Sequence, residues 1–346
     1  MSPSGNKRFG LLGNLENRRV RDYVQTLKEL GQPEPLCFAY TDLLQNPRPL
    51  PVDCLRIDSP GENDRVAQLL IERGGGPEKA EIGHGEIAYL REYYEGYRLF
   101  LHSLKTPAVN APEEIAVMFD KWACHQRFIR AGLPRPASQL ATVELLQAPQ
   151  GRYFLKPLHG SSASGVCAVR WHGRRRQLIA PIEIEGGRLY NTLRVRTYRE
   201  CEEIDFILNR LLPQGMMAEQ WIPKLSLPGG FTDLRVLVIA GKARHRVVRQ
   251  SRTPMTNLHL GNRRGQPEEI AEFLPAALEL AERAAACFPG CLYAGVDVLL
   301  DLKGRPLIGE INAFGDLLPN LEHQGESAYA AIIRQVLARP AQSRAL

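Results

Sequence analysis

Residues 295–312 constrain the fold more than any other part of this chain, because they are typical of a β-hairpin with opposed carboxylates. Two apolar, β-branched runs flank a Lys303-Gly304 turn signal. If these two residues form the loop, Asp297 lies directly opposite Glu310, and side-chain alternation places Asn312 on the same face. Directly opposed Cβ atoms are only ~5 Å apart, so two like charges there repel each other.

Because these two carboxylates would repel each other, we predict that a cation binds between them, in a metal site formed by Asp297, Glu310 and Asn312. The neighbouring residues on both strands are apolar, so water cannot easily screen the two carboxylates. A hard divalent cation would screen them, and two carboxylates with one amide oxygen suit Mg²⁺. The alternative is a solvated acidic pair on an edge hairpin.

The composition is that of an ordinary globular protein. The chain has 346 residues, of which 44% are hydrophobic and 24% charged, and this length predicts two or three packed units. No apolar run approaches the ~20 residues that a membrane span needs, and the apolar run near the N-terminus is too short for a signal sequence. Seven scattered cysteines favour a reduced, cytoplasmic protein.

The positive charge is concentrated in the middle of the chain. The net charge is +6, and residues 111–215 alone carry 15 basic and 10 acidic side chains. Such an excess can attract nucleic acid or another polyanion, and the run Arg174–Arg176 is the best candidate for that contact. We favour a solvated turn between strands for this run, so nucleic acid is not the expected partner.

The pattern of apolar residues predicts the order of the elements. Residues 7–110 are typical of a small α/β unit, and residues 107–112 of a linker. One long helix is predicted over 113–131, where Gly132 ends it. Strand pairs are predicted on both sides of a loop at 160–165 and of a turn at Gly241.

A glycine- and serine-rich loop after Lys156 is typical of phosphate binding. Between Gly160 and Gly165, small residues let backbone N–H groups approach an anion, and Lys156 can place its ammonium on a phosphate oxygen. Hydroxyl donors come from Ser161, Ser162 and Ser164. The loop is not a Walker A loop, because Val166 stands where lysine should be; the alternative is a mobile hairpin tip.

Further candidate residues lie outside this loop. Lys121 falls within the predicted helix and alone would be an ordinary surface lysine. Glu219, followed by Trp221 and Ile222 at a strand exit, can offer backbone groups and an apolar wall to an adenine.

Two arginines lie on the strands that flank the turn at Gly241. Arg235 and Arg249 suit bidentate contacts to phosphate or carboxylate. A shift of one residue in the strand pairing decides whether both face the same side, and the sequence leaves this open.

The order of these features is more specific than any one of them. It resembles the ATP-grasp superfamily, in particular RimK-type glutamate ligases and bacterial glutathione synthetases. The resemblance covers roughly residues 107–320 and rests on these positions in order: Asn110-x-Pro-Glu, Asp120-Lys121, Gly132-Leu-Pro-x-Pro136, Lys156-Pro, Gly160–Gly165, Glu219-Gln-Trp-Ile, Asp233-x-Arg235, Arg249, Asn257-Leu-His, Asp297 and Glu310-Ile-Asn312.

The resemblance implies a small N-terminal α/β (pre-ATP-grasp) domain at 1–106, followed by two α+β ATP-grasp subdomains at 107–215 and 216–346. The subdomains would hold ATP between them. The nucleotide-binding residues would be Lys121, Lys156, the 160–165 loop, Glu219, Trp221, Ile222, Asp233 and Asn257. Two Mg²⁺ ions, for which Mn²⁺ could substitute, would be bound by Asp297, Glu310 and Asn312, with Glu310 between them.

The implied reaction joins a carboxylate and an amine through an acyl phosphate, with Arg235 and Arg249 as the catalytic residues. The substrates would be a small-molecule or peptide acid and an amine; a kinase that stops at a phosphorylated product and a non-catalytic nucleotide- or polyanion-binding regulator are the alternatives. Met255 stands where RimK-type ligases usually carry an arginine, which leaves the substrates open. The sequence also leaves open the oligomeric state.

Overall fold

The computed structural model describes residues 7–79, 81–148, 150–160, 163–173, 175–315 and 318–339. Within these ranges the strands form one parallel sheet, two larger antiparallel sheets and a two-stranded ribbon, with helices packed on them. This combination confirms the predicted mixture of α/β and α+β structure. Of the helices in these ranges, none is long and apolar enough to cross a membrane.

The N-terminal unit is a parallel sheet covered by helices, as predicted. Its elements are β1 (Phe9–Gly13), α1 (Arg18–Glu29), β2 (Leu36–Ala39), α2 (Tyr40–Gln45), β3 (Cys54–Ile57), α3 (Asp64–Arg73) and α4 (Leu90–Ser103). The strand order is β2-β1-β3, so the fully buried β1 lies in the middle. The Asn17 side chain caps α1 by accepting a hydrogen bond from the Arg19 N–H.

The long helix predicted over 113–131 is wrong, because the structure has two helices there. They are α5 (Pro112–Met118) and α6 (Lys121–Arg130). Asp120 between them has an extended backbone, and its side chain accepts a hydrogen bond at 2.9 Å from the Ala123 N–H. Aspartate favours such an N-cap over a helix interior. The break places Lys121 at the start of α6, where its N–H bonds to the Leu158 carbonyl at 3.0 Å.

The second sheet runs in the order β4-β9-β5-β6-β7-β8. This part of the chain comprises β4 (Ser138–Leu140), α7 (Val143–Gln147), β5 (Gln150–Pro157), β6 (Cys167–His172), β7 (Arg175–Glu185), β8 (Arg188–Tyr198), α8 (Cys201–Leu211) and β9 (Met216–Gln220). Although β9 follows residue 215, it pairs with β4 and β5 of this sheet. Arg175 and Arg176 begin β7, and Arg176 pairs with Asp205 of α8; Arg174 lies outside the described residues.

The third sheet carries the predicted hairpin. This part of the chain comprises β10 (Ser226–Leu227), β11 (Gly230–Ile239), β12 (Lys242–Ser251), β13 (Arg263–Gly265), α9 (Leu274–Ala286), β14 (Tyr293–Leu300), β15 (Pro306–Asn312), β16 (Glu322–His323), β17 (Glu326–Ser327) and α10 (Ala328–Ala338). The order β13-β12-β11-β14-β15 places β11 and β14 side by side. The helix α9 packs on one face of this sheet, and its Leu280 and Ala281 share a core with Val296 of β14.

Asn110 joins the N-terminal half to the third sheet. Its buried amide donates to the carbonyls of Tyr293 and Ala313, each at 2.9 Å. Its carbonyl oxygen accepts from the N–H groups of Leu292 at 2.8 Å and Tyr293 at 3.2 Å. One side chain therefore satisfies four buried backbone groups, which water cannot reach.

Replacing Asn110 with alanine is expected to lower the free energy of unfolding by about 3 kcal/mol, because it orphans these buried groups. Urea denaturation measures this loss. Asn46→Ala is the matched control: Asn46 is exposed, and the change there should stay within about 0.5 kcal/mol. Equal, small losses in both variants would show that the Asn110 hydrogen bonds do not stabilise the fold.

Candidate active site between the second and third sheets

A row of charged side chains crosses three neighbouring strands of the third sheet. Arg235 on β11 lies opposite Asp297 on β14, and Asp297 lies opposite Glu310 on β15. The predicted pairing of Asp297 with Glu310 is confirmed. Asn312, two residues after Glu310, lies on the same face of β15.

The predicted two-residue loop of this hairpin is wrong, and a bulge compensates for the error. The strands end at Leu300 and resume at Pro306, so the turn has five residues. Asp301 organises the turn by accepting from the N–H groups of Lys303 and Arg305, each at 2.9 Å. Pairing then shifts between Asp297 and Val298, where Gly309 is the extra residue. The bulge restores the register that the longer turn would otherwise have changed.

Both arginines of the β11–β12 pair contact the buried Asp297. Because Arg249 lies opposite Asp233, and Arg235 is two residues from Asp233, the two arginines share a face. Arg235 binds both carboxylate oxygens of Asp297, with Nη2 3.0 Å from Oδ2, and Arg249 Nη2 is 3.2 Å from Oδ2. Burial raises the pKa of Asp297, but Arg235 and Arg249 outweigh burial and hold it below its ordinary value.

Asp233 is a second buried carboxylate, and it contacts Arg249. Arg249 Nε donates to its Oδ1 at 2.7 Å, whereas Lys224 Nζ at 3.1 Å and the Thr256 hydroxyl donate to its Oδ2. Burial raises the pKa of Asp233, but Arg249 and Lys224 outweigh it and hold the pKa well below the ordinary value. Sequence reasoning missed Lys224, because a single lysine in a proline-rich loop has no local pattern that marks it.

Two lysines reach the charged row from the opposite side of the cleft. Lys156, at the end of β5, is buried with its Nζ 2.6 Å from Glu219 Oε2 and 3.1 Å from the Gly309 carbonyl. Burial lowers the pKa of Lys156, but Glu219 and Glu310 outweigh burial and hold it above its ordinary value. Lys121 Nζ is 3.5 Å from Glu310 Oε1 and 2.5 Å from the Gly160 carbonyl. The lysines therefore connect the second sheet to the third.

A cavity of about 20 Å³ lies beside these lysines. Its walls are Met118, Lys121, Cys124, His125, Phe128, Arg135, Pro136, Met217, Glu219, Ile308, Gly309, Glu310 and Ile311. Burial, together with Arg135 and Lys156, lowers the pKa of His125 to about 4, so this imidazole is neutral at pH 7. This volume is enough for about one water molecule, and the walls combine apolar side chains with the charged Lys121, Arg135, Glu219 and Glu310.

The predicted phosphate loop is described in part. Gly165 has a φ of +69°, and a Cβ there would lie 2.8 Å from Pro157 Cγ, so the position requires glycine. Gly160 bonds Lys121 through its carbonyl, and Ser164 is partly buried. Ser161 and Ser162 lie outside the described residues.

The remaining candidate residues lie on the segments that follow β9 and β12. The Trp221 ring packs under the Arg152 guanidinium at 4.6 Å, and Ile222 follows it. Asn257 precedes the turn at 258–260, and its carbonyl accepts from Asn262 Nδ2 at 2.9 Å. In the described parts of the chain, no hydrogen bond joins Asn257 to the predicted metal ligands.

Met255, on the segment after β12, is part of a small apolar cluster with residues of the second sheet. The side chain is 1% exposed and packs with Val166 and Ala168 of the loop's returning strand, and with the partly buried Trp221. Met255 therefore holds the residues that follow the 160–165 loop against the 253–260 segment.

Solved structures similar to this chain are ATP-grasp proteins. The ATP-grasp ligase PsnB complexed with minimal precursor is 15% identical with a TM-score of 0.52, over 95% of this chain and 99% of that one. D-cycloserine synthetase DcsG is 12% identical with a TM-score of 0.58, over 95% and 99%. A RimK domain ATP-grasp protein from Sphaerobacter thermophilus DSM 20745 is 14% identical with a TM-score of 0.54, over 96% and 100%. The sequence matches no protein-family model.

Proposed function

The chain has the ATP-grasp fold, and from this premise we propose that it is an ATP- and Mg²⁺-dependent ligase that joins a carboxylate to an amine. The observation that carries the proposal is the convergence of Lys121, Lys156, Arg235 and Arg249 on the carboxylates Asp297 and Glu310. Cations on both sides of a cleft can neutralise a polyphosphate. We place this reaction in the cytoplasm.

Each side of the cleft has a distinct role in this proposal. Lys121 and Lys156 bind phosphate oxygens of ATP, and the 160–165 loop covers the triphosphate. Glu219, Trp221 and Ile222 hold the adenine end: they lie at the end of β9 and directly after it, and Glu219 also lines the cavity beside the lysines. Asp233 orients Arg249 through the bond to its Nε, and Asn257, on the segment after β12, completes the proposed nucleotide-binding set.

The oxygen donors on β14 and β15 fit magnesium. Asp297 and Glu310 are in register, and Asn312 lies on the same face of β15. Two carboxylates and an amide oxygen match the ligands that Mg²⁺ prefers. When bound here, Mg²⁺ would offset charge on the phosphates; a second ion next to Glu310, or Mn²⁺ in place of Mg²⁺, is part of the proposal.

The proposed reaction has two steps. A carboxylate oxygen attacks the γ-phosphorus of ATP, an O–P bond forms, and the bond to the bridging oxygen breaks as ADP leaves. The amine nitrogen then attacks the acyl carbon, a C–N bond forms, and phosphate leaves with the electron pair of the broken C–O bond, while the amine proton passes to water. Arg235 and Arg249 stabilise the negative charge on the transferring phosphoryl group and on the acyl phosphate.

Calorimetric titration with ATP, with and without Mg²⁺, tests the nucleotide site. We expect the wild type to bind ATP more tightly with Mg²⁺, and Asp297→Asn to lose about tenfold of that Mg²⁺-dependent affinity because one anionic ligand is gone. Asp205→Asn is the control, since this aspartate on α8 is 52% exposed and pairs with Arg176.

The results distinguish three possibilities: no nucleotide site, a ligase, or a kinase. Absence of ATP binding by the wild type would overturn the nucleotide site. Where ATP binds, phosphate release that depends on both an acid and an amine supports the ligase. A stable phosphorylated product formed without an amine would instead identify a kinase.

A further inference from the structure

A largely buried lysine that the sequence did not predict for the site, Lys224, holds three segments of chain together. The Lys224 backbone pairs with Asp301 at the end of β14, and the next N–H, of Leu225, bonds to the Leu300 carbonyl at 2.8 Å. Its ammonium group reaches Asp233 on β11 at 3.1 Å, the Pro254 carbonyl at 3.2 Å and the Thr256 hydroxyl at 3.0 Å. Lys224 therefore ties the end of β14 to β11 and to the 254–256 segment.

All three ammonium hydrogens of Lys224 have acceptors within the protein. A lysine has three donors, and Asp233, Pro254 and Thr256 accept one each. The side chain is only 12% exposed. Lys224 thus has no donor left for a substrate, which argues for an effect through its neighbours and not for direct contact with the reacting groups.

Asp233 transmits that effect, because its two oxygens face different partners. Lys224 and Thr256 donate to Oδ2, and this orients Oδ1 towards Arg249 Nε at 2.7 Å. With Nε held in this way, Arg249 extends its Nη2 to within 3.2 Å of Asp297 Oδ2. The orientation of the Arg249 guanidinium therefore depends on the contacts of Asp233.

Lys224 also contributes to the net charge of the cluster of side chains around Asp233 and Asp297. The cations Lys224, Arg235 and Arg249 surround the carboxylates Asp233 and Asp297, so the five side chains carry a net charge of +1. Without Lys224 the group would be neutral. A buried positive excess favours an anion at its open side, where water does not screen it.

We propose that Lys224 is a positioning residue, which holds Arg249 through Asp233 for contact with the terminal phosphoryl group of the nucleotide. The inference rests on the proposed function and adds to it a residue that acts on one end of the nucleotide only. The loss of Lys224 should therefore weaken binding of a triphosphate and leave binding of a diphosphate unchanged.

Calorimetric titrations of the wild type and Lys224→Met with ADP and with AMPPNP, both with Mg²⁺, test this. AMPPNP keeps a terminal phosphoryl group that ADP lacks. We expect Lys224→Met to bind ADP within about twofold of the wild type and AMPPNP about tenfold more weakly, the size of one charge-assisted contact. Lys242→Met is the control, because Lys242 is 73% exposed at the β11–β12 turn; both affinities should stay at the wild-type values.

A second variant covers the case in which Lys224→Met does not fold. Thr256→Val removes the other donor to Asp233 Oδ2 without a change of charge, and it should show the same selective loss to a smaller extent. Equal losses for ADP and AMPPNP, or no loss for either, would overturn the positioning role. A wild type that binds neither nucleotide would overturn the proposed nucleotide site itself, and this inference with it.

Discussion

Replacing Glu310 with glutamine is expected to lower turnover by about 10³-fold, because it removes an anionic ligand of the Mg²⁺ that would offset charge on the transferring group. Glutamine keeps the size of the side chain and one oxygen but removes the negative charge. Glu310 is the carboxylate that faces the cleft: its side chain is 31% exposed, and Lys121 lies 3.5 Å away. Asp297, in contrast, is buried between two arginines. Phosphate release from ATP in the presence of an acid and an amine measures the loss.

The fold should tolerate this change, which makes the prediction specific. The Glu310 side chain is partly exposed and lies opposite another carboxylate. Its neutralisation removes the attraction to Lys121 but also relieves the repulsion from Asp297, so the melting temperature should stay close to that of the wild type. Glu322→Gln, on an exposed residue of β16, should leave both turnover and melting temperature unchanged. Wild-type turnover in Glu310→Gln would remove Glu310 from the mechanism.

The pairing of Asp297 with Glu310 could be predicted from sequence, although one of its premises was wrong. The alternation of apolar and polar residues fixed which side chains share a face, and this information is local. The length of the turn could not be predicted in the same way, because it depends on the hydrogen bonds that Asp301 accepts and on the extra residue Gly309. The turn shifts the strand pairing by one residue and the bulge at Gly309 shifts it back, so Asp297 and Glu310 keep the predicted register.

Other parts of the site depend on contacts between distant segments. The sequence left open whether Arg235 and Arg249 share a face, because strand register is set by the whole sheet. The break at Asp120 had a local signal, the N-cap preference of aspartate, but the apolar periodicity on both sides of it suggested one helix. Lys224 became visible only through its contacts with Asp233 and Thr256.

The order of motifs predicted the fold more securely than any single motif did. The glycine- and serine-rich loop had a credible alternative as a hairpin tip, and Lys121 alone resembled any lysine on a helix. The structure brings both to one cleft through the bond from Lys121 to the Gly160 carbonyl. Similarity to ATP-grasp structures over 95% of the chain confirms the predicted fold.

Lys156 and Glu219 form a buried ion pair between the neighbouring strands β5 and β9. Their charged atoms are 2.6 Å apart, and their side chains are 11% and 7% exposed. Removal of one member leaves the other charge buried without a partner, which typically destabilises a protein by about 3–5 kcal/mol. A single substitution of Lys156 therefore changes stability and ligand binding together, and a test of its role in ATP binding has to separate the two.

Lys156→Met is expected to weaken ATP binding about 30-fold, the effect of one lost charge-assisted contact, and to lower the free energy of unfolding by about 3 kcal/mol at pH 7. Burial already raises the pKa of Glu219 above its ordinary 4.5, and loss of Lys156 removes the main opposing influence. The destabilisation should therefore be small below pH 4.5, where Glu219 is protonated in both folded and unfolded chains, and grow as the pH rises through the raised pKa. The double variant Lys156→Met/Glu219→Gln is the control for this prediction. It has no buried charge at this position, so it should recover most of the stability while ATP binding stays weak.

Urea denaturation across pH and calorimetry with ATP measure the two effects separately. If the double variant recovered ATP affinity along with stability, Lys156 would serve the fold through Glu219 and would not bind the nucleotide.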